Sequence, residues 1–220
     1  MGIPGYGKYV VNNIEGAPFG VPIYTEEIAK NLALEFHIDF TKAKGLVNVN
    51  LKRIADKTVL ERYQKGIYYK AKVTPFGKTK LNPGLIANNA YVKKNGNVIG
   101  YETGPTFLNR IGLTSQIAKY QYYATNIFKQ NGSRVEEYKK IIIRKPPATV
   151  NEDNCKYLQL LDAIENKDKT AIDAINPEKL ILNYIAENNL NFTKLVAFAR
   201  TKYKKEVLLR LGDIAAIELK

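Results

Sequence analysis

The chain has 220 residues, 45% of them apolar, enough for a buried core in one large domain or two small ones. Its formal net charge is +13, and its single cysteine (Cys155) and single histidine (His37) exclude an internal disulfide and leave no basis for a cysteine cage or a histidine zinc site. The charge is unevenly spread: Lys plus Arg outnumber Asp plus Glu by 11 to 2 over residues 41 to 80 but stand at 11 to 11 over 151 to 220, and between Arg62 and Val135 the only acid is Glu102. A one-signed field of this kind points to a polyanionic partner, nucleic acid ahead of an anionic membrane surface. No window approaches the run of about 18 apolar residues that spans a bilayer, and the start MGIPGYGKYVVNN carries no apolar targeting core, so a cytoplasmic protein without a membrane partner is expected.

In chain order, GKYVVNNIE reads as a short helix over 7 to 15, closed by a turn region between Gly16 and Gly20. VPIYTEEIAKNLALEF predicts a helix from about 25 to 36, with Thr25 as N-cap, Glu26 and Glu27 in the first turn, and Ile28, Leu32 and Phe36 on one face. After a break at HIDF, TKAKGLVNVNLKRIADKT is amphipathic. Ala43, Val47, Leu51 and Ile54 share one side of the helical wheel, and Lys42, Gly45, Asn48, Val49, Lys52 and Arg53 share the other. Lysine and arginine suit phosphates or guanine edges, and asparagine can pair with adenine in the major groove.

TVLERYQ and GIYYKAKV have strand composition about a turn at Lys65 and Gly66, with a further turn at Pro75 and Gly77. Helix, helix, basic helix and basic hairpin form the order of a winged helix-turn-helix. On this reading Lys42, Lys44, Asn48, Lys52, Arg53 and Lys57 of the helix, with Arg62, Lys65 and Lys70 of the hairpin, contact double-stranded DNA. Strand alternation sends Tyr68 and Tyr69 to opposite faces, so only one of them is expected in the core.

Beyond residue 80 the pattern predicts a helix near 83 to 94, a short strand at VIGYE, a helix from about Pro105 and a strand at YQYYATN. Two further strands are expected around an Asn131-Gly132 turn. After Pro146 and Pro147, from about residue 148, YLQLLDAIEN, PEKLILNYIAENN, LNFTKLVAFARTKY and KEVLLRLGDIAAIEL form a helical tail. Catalytic signatures are lacking: there is no G-x-S-x-G elbow and no full phosphate-binding loop. The nearest thing to a nuclease motif is Glu137-Tyr138-Lys139, expected on a strand. The predicted class is therefore α+β: a winged helix-turn-helix over 1 to 80, then a mixed α/β domain over 81 to 220 that ends in the helical tail, with no catalytic residue and no cofactor.

Three pieces in order, ERYQKGIYY, TPFGKTKLNP and GPTFLNRIGLTSQIAKYQYYATN, resemble the AbiEi-like type IV antitoxin family over roughly residues 20 to 145. The resemblance implies an N-terminal winged helix that binds the protein's own operator and represses its operon. It further implies a second domain that counteracts a cognate nucleotidyltransferase-type toxin, directly or indirectly. The matching positions are Arg62, Lys65, Gly66, Tyr68 and Tyr69, then Leu108, Asn109, Gly112, Leu113, Ser115 and Gln116; Ile117-Ala118 stands where many members have Val-Pro. Asn109, Ser115 and Gln116 are read as turn and capping residues, with a polar site as the other reading. The alternatives for the whole chain are a winged-helix protein–protein interaction module and an RNA-binding factor without catalysis.

Overall fold

The structure, a computed structural model, describes residues 5–55, 59–94, 96–167 and 170–218. It is of α+β type and divides into two compact units, Met1–Ile86 and Ala87–Lys220.

The first unit holds three helices, α1 (Tyr6–Gly16), α2 (Thr25–Glu35) and α3 (Phe40–Ala55), and a three-stranded antiparallel sheet of β1 (Ile23–Tyr24), β2 (Leu60–Gln64) and β3 (Ile67–Lys70) in the order β1-β3-β2. Ala43, Val47 and Leu51 of α3 are buried against Val10 and Ile14 of α1 and Ile28, Ala29 and Leu32 of α2, so the predicted apolar side is the packed side. Phe36 closes this cluster edge-on to the rings of Tyr6 and Tyr9.

Thr25 is not the N-cap of α2. Tyr24, paired with Ile67 in the sheet, occupies the cap position, and the strand runs straight into the helix. Thr25 is thereby drawn into the first turn, its backbone N–H donating to the Gly66 carbonyl at 2.9 Å. Nor is only one of the paired tyrosines in the core. Tyr68 and Tyr69 do face opposite sides of β3, but both sides are covered. Tyr68 (7% exposed) joins the helical cluster, and Tyr69 (8%) packs with Ile67, Ala71 and Leu81. A second, smaller hairpin follows, of β4 (Val73–Thr74) and β5 (Gly77–Lys78). Leu81 and Ile86, beyond a boundary at residue 80, belong to the cluster around Tyr69.

α4 (Pro83–Tyr91) crosses the division, and its Ala87 and Tyr91 pack in the second unit. There a four-stranded sheet has the order β10-β11-β9-β8, from β8 (Gly100–Glu102), β9 (Gln121–Thr125), β10 (Ser133–Glu136) and β11 (Ile141–Arg144). β6 (Lys93–Lys94) and β7 (Asn97–Val98) form a separate pair. The apolar run of β11 lies inside the sheet, parallel to β9 and antiparallel to β10. The predicted hairpin at Asn131-Gly132 is displaced. The reversal between β10 and β11 is the 3-10 turn Glu137–Lys139 with Lys140 in the left-handed region, because Ile141–Arg144 pairs on both edges and the turn must precede it. Glu137-Tyr138-Lys139 is accordingly a turn and not a strand.

One sheet face packs Tyr123, Ile141 and Ile143 against Ala87 and Tyr91 of α4. The other packs Tyr101 and Ala124 against Leu158 of α6 (Cys155–Asn166). α6 and α5 (Gly104–Arg110) then share the largest cluster with α7 (Pro177–Glu187), α8 (Phe192–Lys202) and α9 (Lys205–Glu218). The four C-terminal helices fall where the sequence predicts and, with α5, hold the largest buried cluster of their unit.

Candidate nucleic-acid interface

α2 and α3 are joined by a tight turn. His37 takes a left-handed φ of 50°, and the Ile38 N–H reaches back to the Ala33 carbonyl at 3.1 Å, which ties off the end of α2. Asp39 then opens α3, its carboxylate accepting from the backbone N–H groups of Thr41 (2.7 Å) and Lys42 (3.2 Å). Those bonds, Lys42 first and then Thr41, hold the Asp39 carboxyl below its ordinary range. This cap is absent from the sequence reading, although an aspartate just before a helical pattern is its usual signal.

The outer side of α3 carries Lys42, Lys44, Asn48, Val49, Lys52 and Arg53, all exposed. Lys44, Asn48 and Lys52 form an i, i+4, i+8 row about 12 Å long. In the hairpin, Arg62 lies opposite Tyr68 across the β2–β3 pair, on the sheet face that turns its tyrosine into the helical cluster, and is itself exposed. Lys65 is exposed in the turn, followed by Gly66 at φ 82°, a conformation that favours glycine. Among the described residues no carboxylate pairs with Lys42, Lys44, Lys52, Arg53, Arg62 or Lys65; the ion pairs of this unit are Lys30–Glu26 and Lys78–Glu61. Six cationic heads are thus held on structured elements with no acidic partner among the described residues.

Lys70 does not belong with them. Its ammonium donates to the carbonyls of Glu15 (2.9 Å) and Ala17 (3.0 Å) and sits 4.7 Å above the Phe19 ring, so it caps the carboxyl end of α1. The alternation that puts it on β3 carries no sign that the α1 terminus lies within its reach. Lys57 lies outside the described residues.

In the second unit, Asn109 donates to the Thr114 carbonyl (3.0 Å), and the Gln116 N–H donates to Thr114 Oγ1 (3.2 Å). Ser115 donates through its backbone N–H (3.0 Å) and its hydroxyl (2.5 Å) to Asp173, whose own N–H reaches the Leu113 carbonyl. Asn109 and Ser115 thus bond through their side chains within the turn and to Asp173, while Gln116 is engaged through its backbone N–H.

The acids of the Glu136-Glu137 run are likewise occupied. Glu136 accepts from Tyr91 (2.7 Å), Lys139 (2.8 Å) and Arg134 (2.9 Å), and Glu137 accepts from Tyr120 (2.7 Å). Partial burial pushes the Glu136 carboxyl up, but these hydrogen bonds outweigh it and hold the group below its ordinary range.

One buried network has no signature in the sequence. Asp162 of α6 is fully buried, takes hydrogen bonds from Thr103 (2.9 Å) and Tyr203 (2.9 Å), and is paired with Arg144 of β11. Four segments of the second unit are bolted together there. No family model matches the chain, and no curated protein matches it either.

Proposed function

We propose that the first unit is a winged helix-turn-helix that binds double-stranded DNA at the protein's own promoter, and that the chain is a repressor and antitoxin of the AbiEi-like kind. The observation that carries the reading is the set of six cations on α3 and the β2–β3 hairpin with no acidic partner among the described residues. The element order, with β1 between α1 and α2 and paired beside β3, supports it. So does the four-residue turn that joins α2 to α3.

In this reading α3 lies in the major groove. Asn48, Lys52 and Arg53 meet base edges, and the exposed Val49 suits a thymine methyl. Lys42, Lys44, Arg62 and Lys65 meet phosphates and set the register. The second unit counteracts a nucleotidyltransferase-type toxin; that assignment rests on the motif resemblance. No chemical step is assigned to any residue.

The test is a gel shift with the protein's own upstream DNA against a scrambled duplex of equal length, repeated over a salt series. The expected result is a preference for the upstream duplex, with log K falling linearly against log salt by about 0.9 per phosphate neutralised. Affinity that ignores both sequence and salt would remove the proposal.

A further inference from the structure

The β4–β5 hairpin ends in Thr74-Pro75-Phe76-Gly77, and Phe76 at its tip is fully exposed (101%). The tip is held in shape. Val73 pairs with Lys78 and Thr74 with Gly77. Thr74 Oγ1 donates to the Gly77 carbonyl (2.7 Å) and accepts from the Phe76 N–H (3.3 Å), and Pro75 restricts the chain just before the ring. A second anchor is ionic: Lys78 contacts Glu61 of β2 at 2.5 Å, so the hairpin is tied to the strand that carries Arg62. Tyr68 and Tyr69, a few residues earlier, are both buried, whereas Phe76 is presented to water on a braced turn with Val73 exposed beside it. At the base of the hairpin, beyond the Val73–Lys78 pair, stand Lys72 and Lys80, exposed and without an acidic partner among the described residues, and no acid occurs in the sequence between Glu61 and Glu102.

We propose that Phe76 is a wedge that stacks against bases of the duplex bound by the first unit, with Lys72 and Lys80 on the flanking phosphates; this rests on the DNA-binding reading above. An exposed ring at the tip of a hairpin whose base carries unpaired cations fits a ligand that has an anionic backbone and flat apolar surfaces, and a base stack has that chemistry. Proteins that kink or unstack a duplex use an apolar side chain in this way, and aromatic rings stack on bases without regard to sequence. The wedge lies outside α3 and outside the β2–β3 turn. It therefore adds affinity that does not discriminate between sequences of equal flexibility, and it favours easily unstacked pyrimidine–purine steps.

The chain contains no tryptophan, so Phe76→Trp places a single indole at the tip. Its emission is read while the upstream duplex is added, in parallel with the anisotropy of the same duplex carrying fluorescein. Ile175→Trp, at an equally exposed position (95%) in the second unit, is the control. The expected result is that emission of the Phe76→Trp protein falls by about half or more at saturation, the quenching that base stacking brings, while emission of the Ile175→Trp protein stays constant. Phe76→Ala, which removes no buried contact, should bind the duplex between about 5-fold and 100-fold more weakly, with circular dichroism unchanged. Anisotropy that reports normal binding of Phe76→Ala, together with an unquenched indole at the tip, overturns the wedge and leaves the DNA-binding reading intact. Absence of duplex binding by the unsubstituted protein overturns both. A blue shift of the tip indole on anionic vesicles but no response to duplex makes the tip a membrane contact and overturns the wedge. So does a Phe76→Ala protein that binds DNA normally but fails to protect cells from the toxin.

Discussion

Asp39 accepts two backbone hydrogen bonds at the start of α3, and its depressed carboxyl makes part of the first unit's stability depend on pH. A carboxylate favoured in the folded state stabilises it above the unfolded value of about 4, and the contribution is lost as pH falls through the lower folded value. Asp39→Asn keeps an acceptor but cannot titrate. Thermal melting of the first unit should therefore decline less steeply below about pH 4 in Asp39→Asn than in the unsubstituted protein, and parallel curves would show that the cap carries no charge effect. His37 offers a second test. A left-handed φ is costly for any residue with a Cβ, and glycine lacks that penalty, so His37→Gly should stabilise by roughly 0.5–1 kcal/mol in denaturant titration. Capping was only half legible in the sequence: Thr25 and Asp39 both have a cap's chemistry, and what separates them is that β1 pairing carries Tyr24 straight into α2, a tertiary fact.

At the scale of elements, α3 and the hairpin should respond differently to loss of charge. Arg53→Ala should cost about 1–3 kcal/mol on the preferred duplex and less on a random one, whereas Lys65→Ala should weaken both alike. Competition binding with both duplexes decides this, and equal effects would take α3 out of the groove. In the second unit the decisive element contact is Asp162 with Arg144. Asp162→Ala leaves a largely buried guanidinium without its counter-charge and should cost about 3–5 kcal/mol in chemical denaturation. Amphipathic helices were readable throughout because their apolar spacing is local, and α6 to α9 fall at the predicted segments. Strand partners were not. Ile141–Arg144 looks like one arm of a hairpin, and only its pairing with β9, contributed by residues 121–125, makes it interior to the sheet and moves the turn to Glu137–Lys139.

For the whole molecule, the division after Ile86 sets where the chain can be cut. A fragment ending at Lys80 loses Leu81 and Ile86 from the cluster around Tyr69 and should melt below one that ends after Tyr91, although both keep α1 to α3. The longer fragment is expected to bind the upstream duplex and to give no protection from the toxin. Protection by that fragment alone would place the proposed antitoxin activity in the first unit. The charge split that suggested two functional halves is visible in the composition. The helices after residue 148 carry mixed charge outside and an apolar spacing that supplies most of a core.

The position of that division also has a consequence for synthesis. The chain leaves the ribosome amino end first, and the residues that complete the first unit's clusters end at Ile86. At about 5–20 residues per second, the remainder of the chain takes on the order of ten seconds to appear. During that interval the first unit can fold with its cationic face exposed to nearby DNA, while the second unit still lacks α6 to α9 and cannot close its core. Arrested nascent chains long enough for α4 to have left the ribosome but ending before α6 should already resist protease across α1 to α3, and susceptibility there would mean that the first unit waits for the second. If the early fold forms and the proposed DNA binding holds, the first unit is ready for a duplex before α6 to α9 are made.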